Sequence, residues 1–196
     1  MVISQAIALR TGSVWKGLSD EELLRLCMGN KELKIERDEN GTIFIISPTK
    51  FGISHKNSGL LIELGIWNKI VKKGVLTDSY GGYILPDTSM RAPDIGFVLI
   101  EKYRTLTAKD KDSFAPICPD FVNEIISSKG ELQEARKKMT MWIRNGCQVA
   151  WLIDPFVKKI YSFENNWTEY VHDDFNKDLQ VPNFYPISLF CPQKCL

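Results

Sequence analysis

The sequence predicts an α/β protein: a mixed sheet flanked by helices, with an antiparallel hairpin towards the N-terminus. Three observations carry this. Phe121 to Ile153 reads as strand, helix, strand, the unit that joins parallel strands through a crossover. Two short runs, Leu33 to Glu36 and Thr42 to Ile46, flank the turn Asp38-Glu39-Asn40-Gly41 and read as a hairpin. Between these units, Leu60, Leu61, Leu64, Trp67, Ile70 and Val71 recur at helical spacing. A parallel unit and a hairpin in one chain imply a mixed sheet, or an α+β arrangement if the hairpins stand apart.

The elements follow in order. Ser19-Asp20-Glu21-Glu22 is a capping box, and Leu23, Leu24, Leu26 and Cys27 continue it as a helical stripe ending near Gly29-Asn30. The hairpin follows, broken by Ser47-Pro48-Thr49. A long helix is expected from about Ser54 to Lys72, with Gly74 ending it. Val75-Leu76 and Gly82 to Leu85 read as short strands around a Gly81-Gly82 turn. Ile95 to Ile100 is a buried strand opened by Pro93-Asp94, and Glu101 to Pro116 is charged helix or loop. Asp120 to Ser127 is apolar on both faces. Glu131 to Asn145 is a helix closed by Gly146, Gln148 to Ile153 a strand stopped by Asp154-Pro155, and Lys159 to Phe163 an edge hairpin strand. The remainder is loop-rich, with an apolar patch from Val181 to Phe190. The chain reads as a single domain over 1–196, with its core at about 18–163 and an extension over 164–196.

Composition sets the outer limits. A chain of 196 residues, 44% hydrophobic and 25% charged, is ordinary globular material. It buries roughly 70% of its unfolded surface and needs no disulfide or metal to hold together. The net charge of +1 excludes a uniformly basic nucleic-acid-coating protein, so any DNA-binding face must be local. Cys27, Cys118, Cys147, Cys191 and Cys195 are odd in number and irregular in spacing, which fits a reducing compartment; His55 and His172 are too distant in sequence to suggest a zinc site with them. No apolar run reaches the roughly 18 residues of a membrane span, and the mildly apolar start lacks a basic leader and is cut by Arg10. A cytoplasmic protein is the expectation.

The chemistry centres on carboxylates. Glu124 lies within Phe121-Val122-Asn123-Glu124-Ile125-Ile126, where an ionised group costs several kcal/mol unless a cation or donors compensate it. It reads either as a glutamate reaching the sheet's rim or pairing with an arginine, or as part of a site. Asp94 begins a strand, so its carboxylate projects from the sheet's end. Two carboxylates on neighbouring strands make a hard oxygen site suited to Mg²⁺ with retained waters. On the helix Glu131 to Asn145 the stripe Leu132, Ala135, Met139, Trp142 and Ile143 must lie on the sheet. Lys138 borders that stripe, where a long stem can carry its ammonium to the acids, whereas Lys137 points more nearly to solvent.

These residues carry a resemblance. The chain is similar to the Uma-type domain family, a branch of the PD-(D/E)XK nuclease superfamily of restriction-endonuclease-like proteins. The similarity runs from about Leu18 to Phe163. It rests on Leu33-Lys34-Ile35-Glu36-Arg37, Gly41, Ile45-Ile46-Ser47-Pro48-Thr49, Arg91-Ala92-Pro93-Asp94, Cys118-Pro119-Asp120-Phe121-Val122-Asn123-Glu124, Lys138-Met139 and Trp151-Leu152-Ile153-Asp154-Pro155. The resemblance implies a restriction-endonuclease-like fold with Asp94 and Glu124 as metal-binding acids, Glu36 as a further acidic position, and Mg²⁺ or Mn²⁺ as cofactor. It implies Lys138 as the catalytic lysine, because the usual position two residues after the glutamate holds Ile126. Three departures stand out: Ser127-Ser128-Lys129-Gly130 replaces a Ser-Pro-Ser-Asp-like stretch, Trp142 stands where tyrosine is usual, and Asn123 where an aliphatic is usual.

The function expected is Mg²⁺-assisted hydrolysis of DNA phosphodiester bonds, with phosphate contacts from clusters such as Lys69, Lys72 and Lys73; a solvated helix end accounts equally for that cluster. The rival is a catalytically silent nucleic-acid- or protein-binding module that kept the fold. A glycosidase fits worse because it leaves Lys138 without a role. A homodimer is left open.

Overall fold

The computed structural model describes residues 6–9, 17–165 and 168–173. The expected apolar patch from Val181 to Phe190, together with Cys191 and Cys195, lies outside the described residues. The chain divides into two compact units. The first comprises Met1–Pro48, Tyr80–Ala92 and Leu106–Cys118; the second comprises Thr49–Ser79, Pro93–Thr105 and Pro119–Leu196.

The first unit holds β1 (Ala6–Leu9), α1 (Asp20–Gly29), β2 (Lys34–Arg37), β3 (Ile43–Ile46), β5 (Tyr83–Ile84) and β6 (Met90–Arg91). Its sheet runs β1-β3-β2-β6-β5, antiparallel throughout. The capping box forms as the sequence predicts: Glu22 Oε2 accepts from the Ser19 amide at 2.8 Å while Ser19 Oγ accepts from the Glu22 amide at 3.3 Å. In the β2–β3 loop Asp38 Oδ1 accepts from the Asn40 and Thr42 amides, and Gly41 takes φ +79°, which an L side chain rarely adopts. Leu23, Ile35, Ile43 and Met90 form the buried core. Arg37 knits the unit together, donating to the Leu18 and Thr88 carbonyls and to Asp20 Oδ1.

The second unit holds α2 (Phe51–Val71), β4 (Gly74–Thr77), β7 (Ile95–Leu99), α3 (Ile100–Thr105), β8 (Phe121–Ile125), α5 (Leu132–Arg144), β9 (Val149–Asp154), β10 (Lys159–Glu164) and β11 (Glu169–His172); the short α4 (Ala108–Lys111) belongs to the first. Its sheet runs β11-β10-β9-β8-β7-β4. β8 and β9 are adjacent and parallel, as expected for strands joined through α5, and every other pairing is antiparallel. The sheet is therefore mixed. Ile53, Leu60, Leu64 and Trp67 of α2 pack with Ile95, Phe97, Phe121, Ile125, Val149, Trp151 and Ile153. Because strand side chains alternate, Glu124 belongs to the opposite face from Phe121 and Ile125. That second face receives α5, which buries Met139, Trp142 and Ile143.

Four details depart from the sequence reading. The long helix is closed by Lys72 at φ +52° and by Asn68, whose Oδ1 accepts from the Lys73 and Gly74 amides, rather than by Gly74. Gly74 instead opens β4, where a Cβ would collide with the Val98 carbonyl and the Phe97 ring. Ile70 is 71% exposed: the α2 face that meets the sheet is narrower than the apolar stripe. Val75-Leu76 and Gly82 to Leu85 do not pair with each other, since β4 pairs with β7 and β5 with β6. Finally, β10 is not an edge strand, because β11 pairs on its outer side.

Candidate active site

β7 and β8 run antiparallel with Ile95 opposite Asn123. Continuing that register by one residue sets Asp94 across from Glu124, on the same face of the sheet. Asp94 is held at both ends. Its Oδ2 accepts from the Ile125 amide at 2.9 Å, and its carbonyl accepts from Asn57 Nδ2 of α2 at 3.3 Å. The first contact anchors one carboxylate to the backbone immediately after the other.

Glu124 is engaged from α5. Lys138 Nζ lies 2.7 Å from Glu124 Oε1, and Trp142 Nε1 donates to the same oxygen at 3.3 Å. Lys138 and Trp142 are four residues apart, so both project from one side of the helix over the carboxylate. The Glu124 side chain is 12% exposed and that of Lys138 27%, which leaves the pair reachable from solvent yet poorly hydrated. Lys137 is turned away, 73% exposed and paired with Glu134 at 2.7 Å. The loop after β8, where the sequence departs from the family pattern, is closed locally: Glu131 Oε2 accepts from Ser127 Oγ at 3.1 Å and from the Ser128 amide at 3.2 Å, and Gly130 takes φ +91°.

Glu36 lies in the first unit. A glutamate before a turn is ordinarily exposed, but this one is 2% exposed. Its Oε2 meets Arg91 Nη1 at 3.2 Å and its Oε1 accepts from the Ala92 amide at 3.3 Å. The structure thus brings Asp94, Glu124 and Lys138 into one unit and gives Glu36 partners within the other. Lys69, Lys72 and Lys73 are all exposed at the end of α2.

The partners that sequence reasoning missed are Trp142, Asn57 and Arg91. Trp142 carried a usable signal: it stands one helical turn beyond Lys138, so whatever Lys138 reaches, a long side chain at that position can reach as well. Asn57 and Arg91 carried none, because their contacts span 37 and 55 residues.

Among the described residues no three or more His, Cys, Asp or Glu side chains gather as a metal site. A pair of carboxylates nevertheless fits a hard divalent ion. Mg²⁺ binds through one or two carboxylates and keeps several waters, and Asp94 and Glu124 are such a pair.

The fold is that of a nuclease-like α/β protein. It is shared with a solved structure from Anabaena variabilis described as "a putative nuclease belonging to DUF820", at a TM-score of 0.72 and 19% identity, covering 92% of this chain and 100% of that one. At such identity the likeness is one of fold. The chain belongs to the Uma2 family, described as "Putative restriction endonuclease", whose model matches residues 20–192. No curated protein matches the chain significantly. Among the described residues no helix is long and apolar enough to cross a membrane.

Proposed function

We propose that this chain is a divalent-metal-dependent endonuclease that hydrolyses DNA phosphodiester bonds in the cytoplasm, with Asp94 and Glu124 holding Mg²⁺ or Mn²⁺ and Lys138 as the catalytic lysine. The observation that carries the reading is the ion pair between Lys138 Nζ and Glu124 Oε1 on the face shared with Asp94. A bound metal would polarise the scissile phosphate and lower the pKa of the attacking water.

The rest is work for the chain's own groups. The Ile125 amide holds Asp94 Oδ2 in place, so that carboxylate is oriented before any ligand arrives. The Lys138 ammonium stands beside the acids, where it can orient a water and offset charge building on phosphoryl oxygens. Trp142 and Met139 are fully buried on the face of α5 that meets the sheet. Glu36 grips Arg91 and the Ala92 amide within its own unit. Family membership and the shared nuclease fold support the reaction class.

The second reading, a silent binding module, is favoured by one feature: the loop after β8 departs from the family pattern and closes on Glu131. Plasmid cleavage with Mg²⁺ separates the two. Lys138→Ala should slow cleavage by about 10²-fold, the usual scale for losing one such group. Mn²⁺ affinity measured by calorimetry should persist or rise. Lys137→Ala, one residue away and solvent-facing, should cleave nearly normally. Equal losses from both substitutions would mean that only general basicity matters. Failure of the unmodified chain both to bind Mn²⁺ and to cleave would favour the silent module.

A further inference from the structure

We propose that Trp142 is a positioning residue for Glu124: its indole N–H fixes the orientation in which the carboxylate meets a divalent cation. The inference rests on the metal-binding reading above. The terminal torsion of a glutamate is broad and nearly two-fold, so a carboxylate alone does not define which oxygen faces a ligand. Here two donors from successive turns of α5 converge on one oxygen, Oε1. They differ in kind. Lys138 is a point charge on a flexible four-carbon stem, 27% exposed, and its head can move without disturbing the fold. Trp142 is 0% exposed, a rigid ring locked between α5 and the sheet, and its Nε1 is a donor only. Of the two, only the indole is held firmly enough to set the carboxylate's rotation.

The 3.3 Å contact is longer than the usual 2.9–3.0 Å for N–H···O. A partner that orients a ligating carboxylate typically contributes 10- to 100-fold to metal affinity. Burial alone accounts for a tryptophan here but not for its N–H being aimed at the one carboxylate that also engages Lys138.

The test compares Mn²⁺ affinity by calorimetry in four proteins, each shown by its thermal unfolding to be folded at the assay temperature. They are the unmodified chain, Trp142→Phe, a chain with benzothienylalanine in place of Trp142, and Trp151→Phe. Benzothienylalanine keeps the bicyclic shape and replaces N–H by sulfur, so it removes the donor without opening a cavity and serves even if Trp142→Phe does not fold. Trp151 is equally buried but packs edge-on against Phe121 in the core on the other face, and controls for the loss of any buried indole. Removing the Trp142 donor should weaken Mn²⁺ binding about tenfold. Trp151→Phe should leave it within about twofold, as expected of a site on the opposite face. Unchanged affinity with benzothienylalanine would overturn the positioning role while leaving the metal site standing. Equal weakening by Trp151→Phe would overturn it too, as a generic packing effect. If the unmodified chain binds no Mn²⁺, the metal reading fails and this inference fails with it.

Discussion

Glu36 and Glu124 are both strand glutamates with a cation within salt-bridge distance, yet they are built differently. Glu36 is 2% exposed and meets Arg91, whose guanidinium lies 5.4 Å from the centre of the Phe44 ring, with the Ala92 amide on its other oxygen. A planar guanidinium stacked on an aromatic ring is a rigid partner. Glu124 meets Lys138, a mobile ammonium, and the Trp142 N–H, with Asp94 across the strand pair. The first glutamate is sealed among groups that cannot leave. The second is held by one group that cannot leave and one that can. Burial and pairing alone therefore leave the two alike; the mobility of the partner and a second carboxylate across the strand pair separate them.

The largest expected effect tests the open side of this contrast. Asp94→Asn should abolish Mn²⁺ binding detected by calorimetry while leaving the thermal midpoint unchanged or slightly raised, because it relieves repulsion between two carboxylates. Retained Mn²⁺ binding would erase the distinction between the two glutamates.

Next in size is the closed side. Glu36→Ala leaves a nearly buried arginine without its carboxylate, and urea unfolding should show a loss of about 3 kcal/mol. Glu124→Ala should cost less, about 1 kcal/mol, because the Lys138 head can turn to water. Equal losses at the two positions would show that the mobile lysine makes no energetic difference.

The smallest effect calibrates the others. Lys72 closes α2 in the left-handed region, which an L residue adopts at a cost of roughly 1 kcal/mol. Lys72→Gly should recover most of this in the same unfolding assay without altering Mn²⁺ affinity. A change in affinity would mean that the end of α2 and the carboxylate pair are coupled.

What the sequence by itself determined is the set of local arrangements. The Ser19–Glu22 capping box, the closure of α5 at Gly146 (φ +101°), and the apolar stripe that aims α5 at the sheet are legible because each depends on residues within a turn or two of one another. The parallel pairing of β8 with β9 was legible for a related reason: a single helix joins them, and few topologies return a chain from strand to helix to strand. The same stripe set Lys138 at the edge of α5 and Lys137 outside it.

Tertiary structure decided the rest. Which sheet receives β4 and which receives β5 depends on partners distant in sequence, so the Gly81-Gly82 turn could not reveal that its flanks separate. Gly74 has the appearance of a helix stop, and only the closeness of Val98 and Phe97 shows that it is the one residue small enough for its place in β4. The burial of Glu36 required Arg91, 55 residues away. The meeting of the Trp142 N–H with Glu124 required the register of β8 and the seating of α5 together; the helical spacing from Lys138 gave its direction but not its partner. Periodicity states which face of an element is buried; only the packed fold states what that face meets.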